Sequence, residues 1–277
     1  PTQTGRSTFI AGRALADLGK GGPTRQIHKD ISKALELIAK AIDPDTNQPS
    51  VKEGVPILLR AASANTADEL GYLPNLYTFI PVSDFSISKY PITNLQYERF
   101  LKSGQFAQKD LWCNFPKYNE NSQPMQETWG EKGWNWLQEE LQNKNNDFQD
   151  GVLLPRYWRN PRFGLNRRAV PVVGISWYEA NAYCNWLLQN WDDLDEGKQG
   201  MKKPSGIRLP TEKQWAQAAG GDVDKQRYPW DKDIATDKTE EVVRRANIAE
   251  SGINRTSPVW MYPLGESTHG VMELAGN

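Results

Sequence analysis

Histidine and cysteine are scarce in this sequence, with two of each among 277 residues. His28 and His269 lie near opposite ends, and neither an HExxH nor a CxxC pattern is present. A zinc site, which needs clustered His and Cys ligands, is therefore not expected. Cys113 and Cys184 are far apart in the sequence. Free thiols in a reducing compartment are favoured over a disulfide, and we expect a cytoplasmic protein.

The sequence also has no strong charge of either sign and no long apolar run. Its formal net charge is −1, which gives no electrostatic footprint for nucleic acid or for an anionic membrane surface. No run of about twenty apolar residues exists, so no segment is expected to span a bilayer. The composition therefore predicts neither a nucleic-acid partner nor a membrane partner.

Familiar catalytic patterns are missing as well. There is no GxSxG turn, and no pair of carboxylates stands out as an acid and base couple. Cys184 is the one candidate nucleophile, but it lies on the apolar face of a predicted helix, which favours a buried and unreactive thiol. Arg208 lies in an apolar stretch, which favours a buried ion pair or contacts with carbonyl groups over a ligand-binding role.

Aromatic residues, in contrast, are plentiful, with 11 Trp and 10 Tyr. Several of them lie in the stretch Val170–Leu188, which predicts a strand, a sharp break and then a helix. Ser176 and Glu179 form a capping box, in which each side chain bonds the backbone of the other residue at the helix start. Six side chains then share one face, which predicts a helix buried in the core: Trp177, Ala180, Cys184, Leu187, Leu188 and Trp191.

The same cap pattern occurs twice more. Thr93 precedes Gln96, and Thr211 precedes Gln214, each ahead of a short segment with helical apolar spacing. Three capped helices entered from bends marked by Pro or Gly predict a compact α+β fold. The aromatic residues supply enough apolar surface for a sizeable core.

The first 50 residues differ from the rest. Ala11–Gly19 is rich in Ala and Leu, and Ile27–Ile42 carries apolar residues at helical spacing. We interpret residues 1–50 as a helical lead-in, either the end of an upstream region or a collar packed on the following domain. Residues 51–277 are predicted to form that domain. Within it, residues 51–92 are expected to be mostly extended, with a half-buried strand at Phe85–Tyr90.

Residues 103–169 form a long polar insertion in the predicted domain, with a helix expected near Trp134–Leu141. Insertions of this length often carry ligand-binding surfaces. We assign a ligand surface to Trp112, Trp129 and Trp134, while an insertion without a function is an equally good interpretation.

Six segments of the chain form an ordered series: Ile87–Tyr97, Pro171–Trp186, Arg208–Trp215, Tyr228–Trp230, Ala246–Ile248 and Gly270–Asn277. In this order they resemble the formylglycine-generating enzyme (sulfatase-modifying factor) family. The resemblance covers the chain from about residue 75 to residue 277. It implies a variant of the C-type lectin fold, an α+β architecture with little regular secondary structure.

The resemblance implies functions of two classes. Some family members are catalytic: a copper-dependent oxidase whose paired cysteines follow the Gly-Asn motif, and non-haem iron enzymes of ergothioneine-type sulfoxide synthesis. Others are binding modules, including variable proteins of diversity-generating retroelements. Because the Gly-Asn motif here is Gly276-Asn277, at the end of the sequence, we expect a domain truncated on its C-terminal side.

We therefore expect a non-catalytic recognition module of a multidomain bacterial protein. Its expected partners are a protein or peptide ligand and an upstream domain of the same polypeptide. The alternative is a formylglycine-generating oxidase, or a related iron enzyme, whose catalytic segment is absent from this chain. Copper is expected only if that segment supplies cysteines, because thiolates suit Cu(I).

The resemblance also implies calcium as a cofactor. Its implied ligands in this sequence are Asn247, Ile248, Glu250, Ile253 and, for a second site, Asn277. The position expected to supply a carboxylate holds Ser251 instead, which weakens a site for a hard cation. Glu250 is the neighbouring carboxylate that could substitute for it.

Overall fold

The computed structural model describes residues 3–18, 25–43, 46–49, 55–194, 202–221, 228–230 and 238–277. The helices in these ranges are α1 (Gln3–Leu18), α2 (Arg25–Ala39), α3 (Ile57–Glu69), α4 (Asn94–Lys102), α5 (Lys132–Gln142), α6 (Trp177–Gln189), α7 (Glu212–Ala218) and α8 (Thr239–Val242). None of these helices is long and apolar enough to cross a bilayer.

The strands are few and short: β1 (Phe79–Val82), β2 (Phe85–Ser88), β3 (Pro116–Tyr118), β4 (Pro124–Thr128), β5 (Phe148–Gln149) and β6 (Val152–Leu153). They pair as three separate antiparallel hairpins, β1 with β2, β3 with β4, and β5 with β6. The predicted alternating strand is β2, whose Phe85 lies opposite Val82 and whose Ser88 lies opposite Phe79. The predicted α+β class with little regular sheet is confirmed.

The N-terminal helices share a core with the end of the chain. On α2, Leu35 and Ala39 are fully buried, as the helical spacing of this segment predicts. They belong to one apolar cluster with Trp260 and Met261. The helical prediction for this region is confirmed over α1 and α2, while residues 19–24 and 50–54 lie outside the described part of the chain.

Helix α3 corrects the expectation that residues 51–92 are mostly extended. It begins after Pro56 and carries Ala61, Ala64 and Ala67 on a buried face against the same cluster as Trp260. Small side chains allow close approach between elements, but they give a helix no strong apolar periodicity. The sequence pattern therefore misses it.

The predicted central helix is α6, and its aromatic side chains pack against α4. Tyr97 and Phe100 of α4 are fully buried, and Tyr183 and Trp186 of α6 are nearly so. The ring centroids of Tyr97 and Tyr183 are 5.5 Å apart, and those of Phe100 and Trp186 are 5.6 Å apart. Aromatic pairs at these separations add to the free energy gained from burial alone.

All three predicted capping boxes are present, at Thr93, Ser176 and Thr211. In α6, the backbone N–H of Glu179 donates to Ser176 Oγ at 3.2 Å, and the N–H of Ser176 donates to Glu179 Oε2 at 2.7 Å. Each pair satisfies two backbone donors that a helix leaves free at its start.

The insertion of residues 103–169 contains β3 to β6 and α5, and α5 is the helix expected near Trp134.

Candidate ligand-binding groove

A groove of about 370 Å³ opens between the start of α6, the hairpin of β3 and β4, and the segment that enters α7. We call it the aromatic groove. Its lining residues are Pro116, Lys117, Tyr118, Met125, Trp129, Trp177, Asn181, Arg208, Leu209, Pro210 and Thr211. Ser122 Oγ and Thr211 Oγ1 lie 2.6 Å apart, which links the loop between β3 and β4 to the cap of α7.

Two tryptophan rings form one wall of the aromatic groove. Trp177 is the first residue of α6, so the Ser176 cap fixes its position. Its ring lies 5.3 Å from that of Trp129 and meets Phe115 edge to face at 5.5 Å. The side chain of Trp177 is nevertheless 43% exposed. A large apolar surface held rigidly at a groove is typical of a binding site.

The burial predicted for Trp177 is wrong, and its position in the helix explains the error. Helical spacing places it on the same side as Cys184, which is buried. Trp177 is the first residue of α6, however, and this end of the helix lies at the groove and not in the core. Spacing predicts the direction of a side chain but not where the core ends.

Arg208 forms the opposite side of the groove. Its guanidinium carbon lies 4.2 Å from the ring centroid of Tyr118, a stacked cation–π contact. Its Nη1 donates to Gln214 Oε1 at 2.8 Å and to the carbonyl oxygen of Leu209 at 3.0 Å. The predicted carbonyl contact is present. The predicted ion pair is not found among the described residues, and Arg208 is half-buried.

The three tryptophans predicted as a ligand surface have different environments. Trp129 lines the aromatic groove. Trp112 is fully buried, and its Nε1 donates to the carbonyl oxygen of Phe106 at 2.6 Å, so the surface prediction is wrong for it. Trp134 is half-buried against the core and is not among the lining residues. Sequence reasoning missed Trp177 and Tyr118, which only the folded chain brings beside Trp129.

Both cysteines are free thiols, as predicted. Cys184 is 8% exposed, and burial raises the pKa of its thiol to about 12. The thiol is therefore protonated at neutral pH, and a protonated thiol is a poor nucleophile. Burial also raises the pKa of the half-buried Cys113. The structure thus supports the interpretation of Cys184 as a buried, unreactive side chain.

The residues of the predicted calcium site do not fit a hard cation well. Ser251 Oγ lies 3.0 Å from Asn247 Oδ1 and 2.7 Å from the carbonyl oxygen of Ile248. The hydroxyl therefore lies against two of the oxygens that would face the ion. Glu250 is exposed, and no group of three or more His, Cys, Asp or Glu side chains suited to a metal occurs in the described ranges. Ile253 donates its N–H to Ser251 Oγ at 3.4 Å.

Asn277, predicted to begin a second calcium site, makes protein contacts with both side-chain atoms. Its Oδ1 accepts from the N–H of Ser257 at 2.6 Å, and its Nδ2 donates to the carbonyl oxygen of Ser257 at 2.8 Å. Asn247 Nδ2 also approaches Oδ1 of Asn277 at 3.3 Å.

Nearby, the carboxyl group of Glu273 is enclosed, and burial raises its pKa well above the usual range. Neither oxygen has a partner with full hydrogen-bond geometry in the described structure, although the nearby Asn277 side chain opposes the rise in pKa.

The fold therefore has a wrapped central helix, capped entry turns and short hairpins around an aromatic core, in agreement with the C-type-lectin-like fold that the family resemblance implies. A family model described as "Sulfatase-modifying factor enzyme 1-like domain" matches residues 57–277. The chain belongs to this family, and the family and fold predicted from the six sequence segments are confirmed.

The relatives of this chain have names that indicate different activities. The chain is 27% identical over 215 residues to "Inactive C-alpha-formylglycine-generating enzyme 2" of Bos taurus, covering 72% of this chain and 59% of the relative. It is 27% identical over 209 residues to "Hercynine oxygenase" of Mycobacterium tuberculosis, covering 72% and 37%. It is 35% identical over 193 residues to "Serine/threonine-protein kinase pkn1" of Chlamydia caviae, covering 70% and 21%. The matched region is thus 59% or less of each relative's length.

Proposed function

We propose that this domain is a non-catalytic recognition module that binds a protein or peptide ligand in the aromatic groove. The observation that carries the proposal is the exposed face of Trp177 beside Trp129, held in place by the capped start of α6. Tryptophan and arginine side chains supply much of the free energy at protein interfaces, because they bury a large area and keep a directional polar group. The aromatic groove presents both types of side chain.

The context of the domain is part of the same proposal. We infer a cytoplasmic, multidomain bacterial protein in which an upstream domain of the same polypeptide contacts the lead-in helices. The Chlamydia caviae kinase supports this arrangement, because the region that matches this chain makes up 21% of that protein. A variable protein diversified by a retroelement is one form that such a recognition module could take.

A second candidate function is supported by the names of other relatives. "Hercynine oxygenase" and "Formylglycine-generating enzyme" of Thermomonospora curvata are similar to this chain, the latter at 26% identity over 222 residues. A copper-dependent oxidase would need a pair of thiolates. Cys113 and Cys184 do not pair with each other, and Cys184 is buried. The alternative thus requires ligands from sequence outside these 277 residues.

A peptide selection tests the recognition function. Random short peptides displayed on phage are selected against the 277-residue chain, and enriched peptides are labelled and titrated by fluorescence polarisation. We expect Trp177→Ala to lower affinity about tenfold, because it removes the central aromatic contact. Trp215→Ala is the matched control, since Trp215 is 44% exposed, compared with 43% for Trp177, and lies outside the lining. Equal losses in both variants, or no enriched peptide, would contradict the proposal.

The oxidase alternative makes a different prediction, which is tested on the polypeptide that includes the further sequence this alternative requires. It requires saturable binding of Cu(I), followed by copper-dependent consumption of oxygen when a thiol peptide is added. Both results together would make the enzymatic interpretation the better one. A recognition module should show neither, while it keeps its peptide affinity in the presence of a copper chelator.

A further inference from the structure

The charge around the aromatic groove indicates the chemistry of its ligand. This step rests on the function proposed above. We propose that the groove binds an extended peptide segment in which an aspartate or glutamate side chain pairs with Arg208. A neighbouring apolar side chain of the same segment then packs against Trp129 and Trp177.

Arg208 carries a charge that no residue in the described part of the chain neutralises by an ion pair. Its hydrogen-bond acceptors are the amide oxygen of Gln214 and the carbonyl oxygen of Leu209, both uncharged. No carboxylate forms an ion pair with Arg208 in the described structure. Only its Nη1 is used in these bonds, so other N–H groups of the guanidinium remain available. A guanidinium with free N–H groups matches the two oxygens of a carboxylate.

Gln214 is a neutral residue at a position where an acid would neutralise this cation. Its Oε1 accepts from Arg208 and lies within 3.3 Å of both the N–H and the Oγ1 of Thr211. A glutamate could complete the same capping box and would also neutralise Arg208. The amide caps the helix equally well but leaves the positive charge facing the groove.

The rest of the lining reinforces the positive charge. Of its eleven residues, Lys117 and Arg208 are cations and none is an acid. Lys117 forms an ion pair with Glu127, which lies outside the lining. Lys132 is a further cation on the same side, with its Nζ 5.1 Å from the ring centroid of Trp129. Among these named residues three cations are opposed by one carboxylate, that of Glu127, and this excess of positive charge favours an anionic ligand.

The shape of the site favours a peptide over a small free acid. Strand β4 lies at the edge of its hairpin, and all five of its residues are exposed. Its Met125, 45% exposed, lines the groove beside the tryptophans. An extended segment can run along such an edge and place alternate side chains toward the groove. An acidic side chain on Arg208 and an apolar one on the tryptophans would use both parts of the lining.

The test uses peptides enriched in the selection described above. We expect an Asp or Glu close to an apolar or aromatic residue in these peptides. Changing that residue to Asn or Gln should lower affinity for the unmodified protein roughly tenfold, because a charge-assisted contact is lost. This measurement needs no protein variant, so it is independent of any effect of Arg208 on folding.

Protein variants then assign the charge to Arg208. Arg208→Gln should bind the acidic and the amide forms of the peptide with similar affinity, weaker than that of the unmodified protein for the acidic form. Lys213→Gln, an exposed control on α7, should have the same affinities as the unmodified protein. Melting curves check that each variant is folded. Enriched peptides that require Trp177 but show no acidic preference would overturn this inference and leave the recognition function intact. An unaltered acidic preference in folded Arg208→Gln would also overturn this inference. Failure to enrich any peptide would overturn both the inference and the proposed recognition function.

Discussion

Ser251 places a hydroxyl group beside two of the oxygens that the family resemblance assigns to calcium. Its Oγ approaches Asn247 Oδ1 and the carbonyl oxygen of Ile248, and it accepts weakly from the N–H of Ile253. A neutral hydroxyl can link these groups without any ion. A calcium ion, in contrast, needs six or more oxygen ligands, with carboxylates among them for tight binding.

We therefore expect the melting temperature of the protein to be the same in calcium and in chelator. Ser251→Asp should introduce a rise in melting temperature with calcium, because the new carboxylate joins the carbonyl and amide oxygens already present. Ser251→Asn is the uncharged control and should show no such response. A calcium-dependent rise in the unmodified protein, measured by calorimetry, would contradict this prediction and restore the calcium site expected from the family resemblance.

Trp112 and Trp177 have different environments, although each packs against other aromatic rings. Trp112 is fully buried with its indole N–H satisfied, and Trp177 is 43% exposed. We expect Trp112→Ala to lower the free energy of unfolding by about 3–5 kcal/mol, as for other large-to-small core changes. Trp177→Ala should cost less than half as much. Urea melts of the two variants measure this, and equal losses would show that Trp177 belongs to the core.

The capped helices are the elements whose structure follows most directly from the sequence. Ser176 and Glu179 form their box within four residues, so no distant contact is needed to define the start of α6. The same holds for Thr93 at α4 and Thr211 at α7. Each capping box agrees with the direction of the apolar face on the helix after it. The aromatic side chains on these faces then account for the packing of α4 on α6.

Ser176→Ala should lower the free energy of unfolding by about 1 kcal/mol, because the N–H of Glu179 loses its acceptor. Ser205→Ala, in an exposed turn, is the control and should be neutral. Chemical denaturation followed by circular dichroism compares the two. A loss for Ser176→Ala no larger than that of the control would mean that the hydroxyl contributes nothing to the helix start.

Elements without a cap or a clear apolar periodicity in the sequence are harder to predict. Helix α3 has no side-chain cap at Pro56, and its buried face consists largely of Ala, Ser and Thr, so it resembles an exposed or extended segment in sequence. The aromatic groove is harder still to predict. Its lining comes from β3, the start of α6 and the segment before α7. These elements lie up to about ninety residues apart in the sequence, as the contact between Ser122 and Thr211 shows. Aromatic content predicted a ligand surface in the insertion, but tertiary packing determines that Trp129 faces it and Trp112 does not.

Across the whole molecule, Arg60 joins the lead-in helices to the rest of the chain. This buried side chain on α3 donates to the carbonyl oxygens of Ala39 at 2.8 Å, Met261 at 3.0 Å and Arg244 at 3.3 Å. It also lies 5.2 Å from the ring centroid of Tyr262. Burial lowers the pKa of Arg60 to about 10, and no carboxylate pairs with it among the described residues. The end of α2, α3 and the C-terminal segment are therefore held together by one side chain, and α1 and α2 form part of the same packed unit.

Three buried acids lead us to expect that the stability of the protein depends on pH. Asp68 of α3 is 5% exposed, and its Oδ1 accepts from the N–H of Ala169 at 3.0 Å. Burial raises the pKa of Asp68 to about 7, although the positive charge of Arg167 opposes the shift. Burial likewise raises the pKa of Glu179 to about 7 and that of Glu273 well above its usual range.

The direction of the pH effect follows from these shifts. In the unfolded chain such groups lose their protons near pH 4, whereas in the folded protein they retain them to higher pH. The folded state therefore binds more protons between about pH 4 and pH 7, and the free energy of unfolding should fall as the pH rises through this range. For Asp68 alone the loss is at most on the order of 4 kcal/mol.

Asp68→Asn isolates this contribution, because the amide oxygen can still accept from Ala169 and the side chain does not ionise. The difference in unfolding free energy, variant minus unmodified protein, should increase from pH 4 to pH 7 and then stay constant, since Asp68 is deprotonated in both states above its folded pKa. Urea melts across this range measure the difference. A difference that is the same at every pH would show that Asp68 ionises alike in both states, so its burial would contribute nothing to the pH dependence.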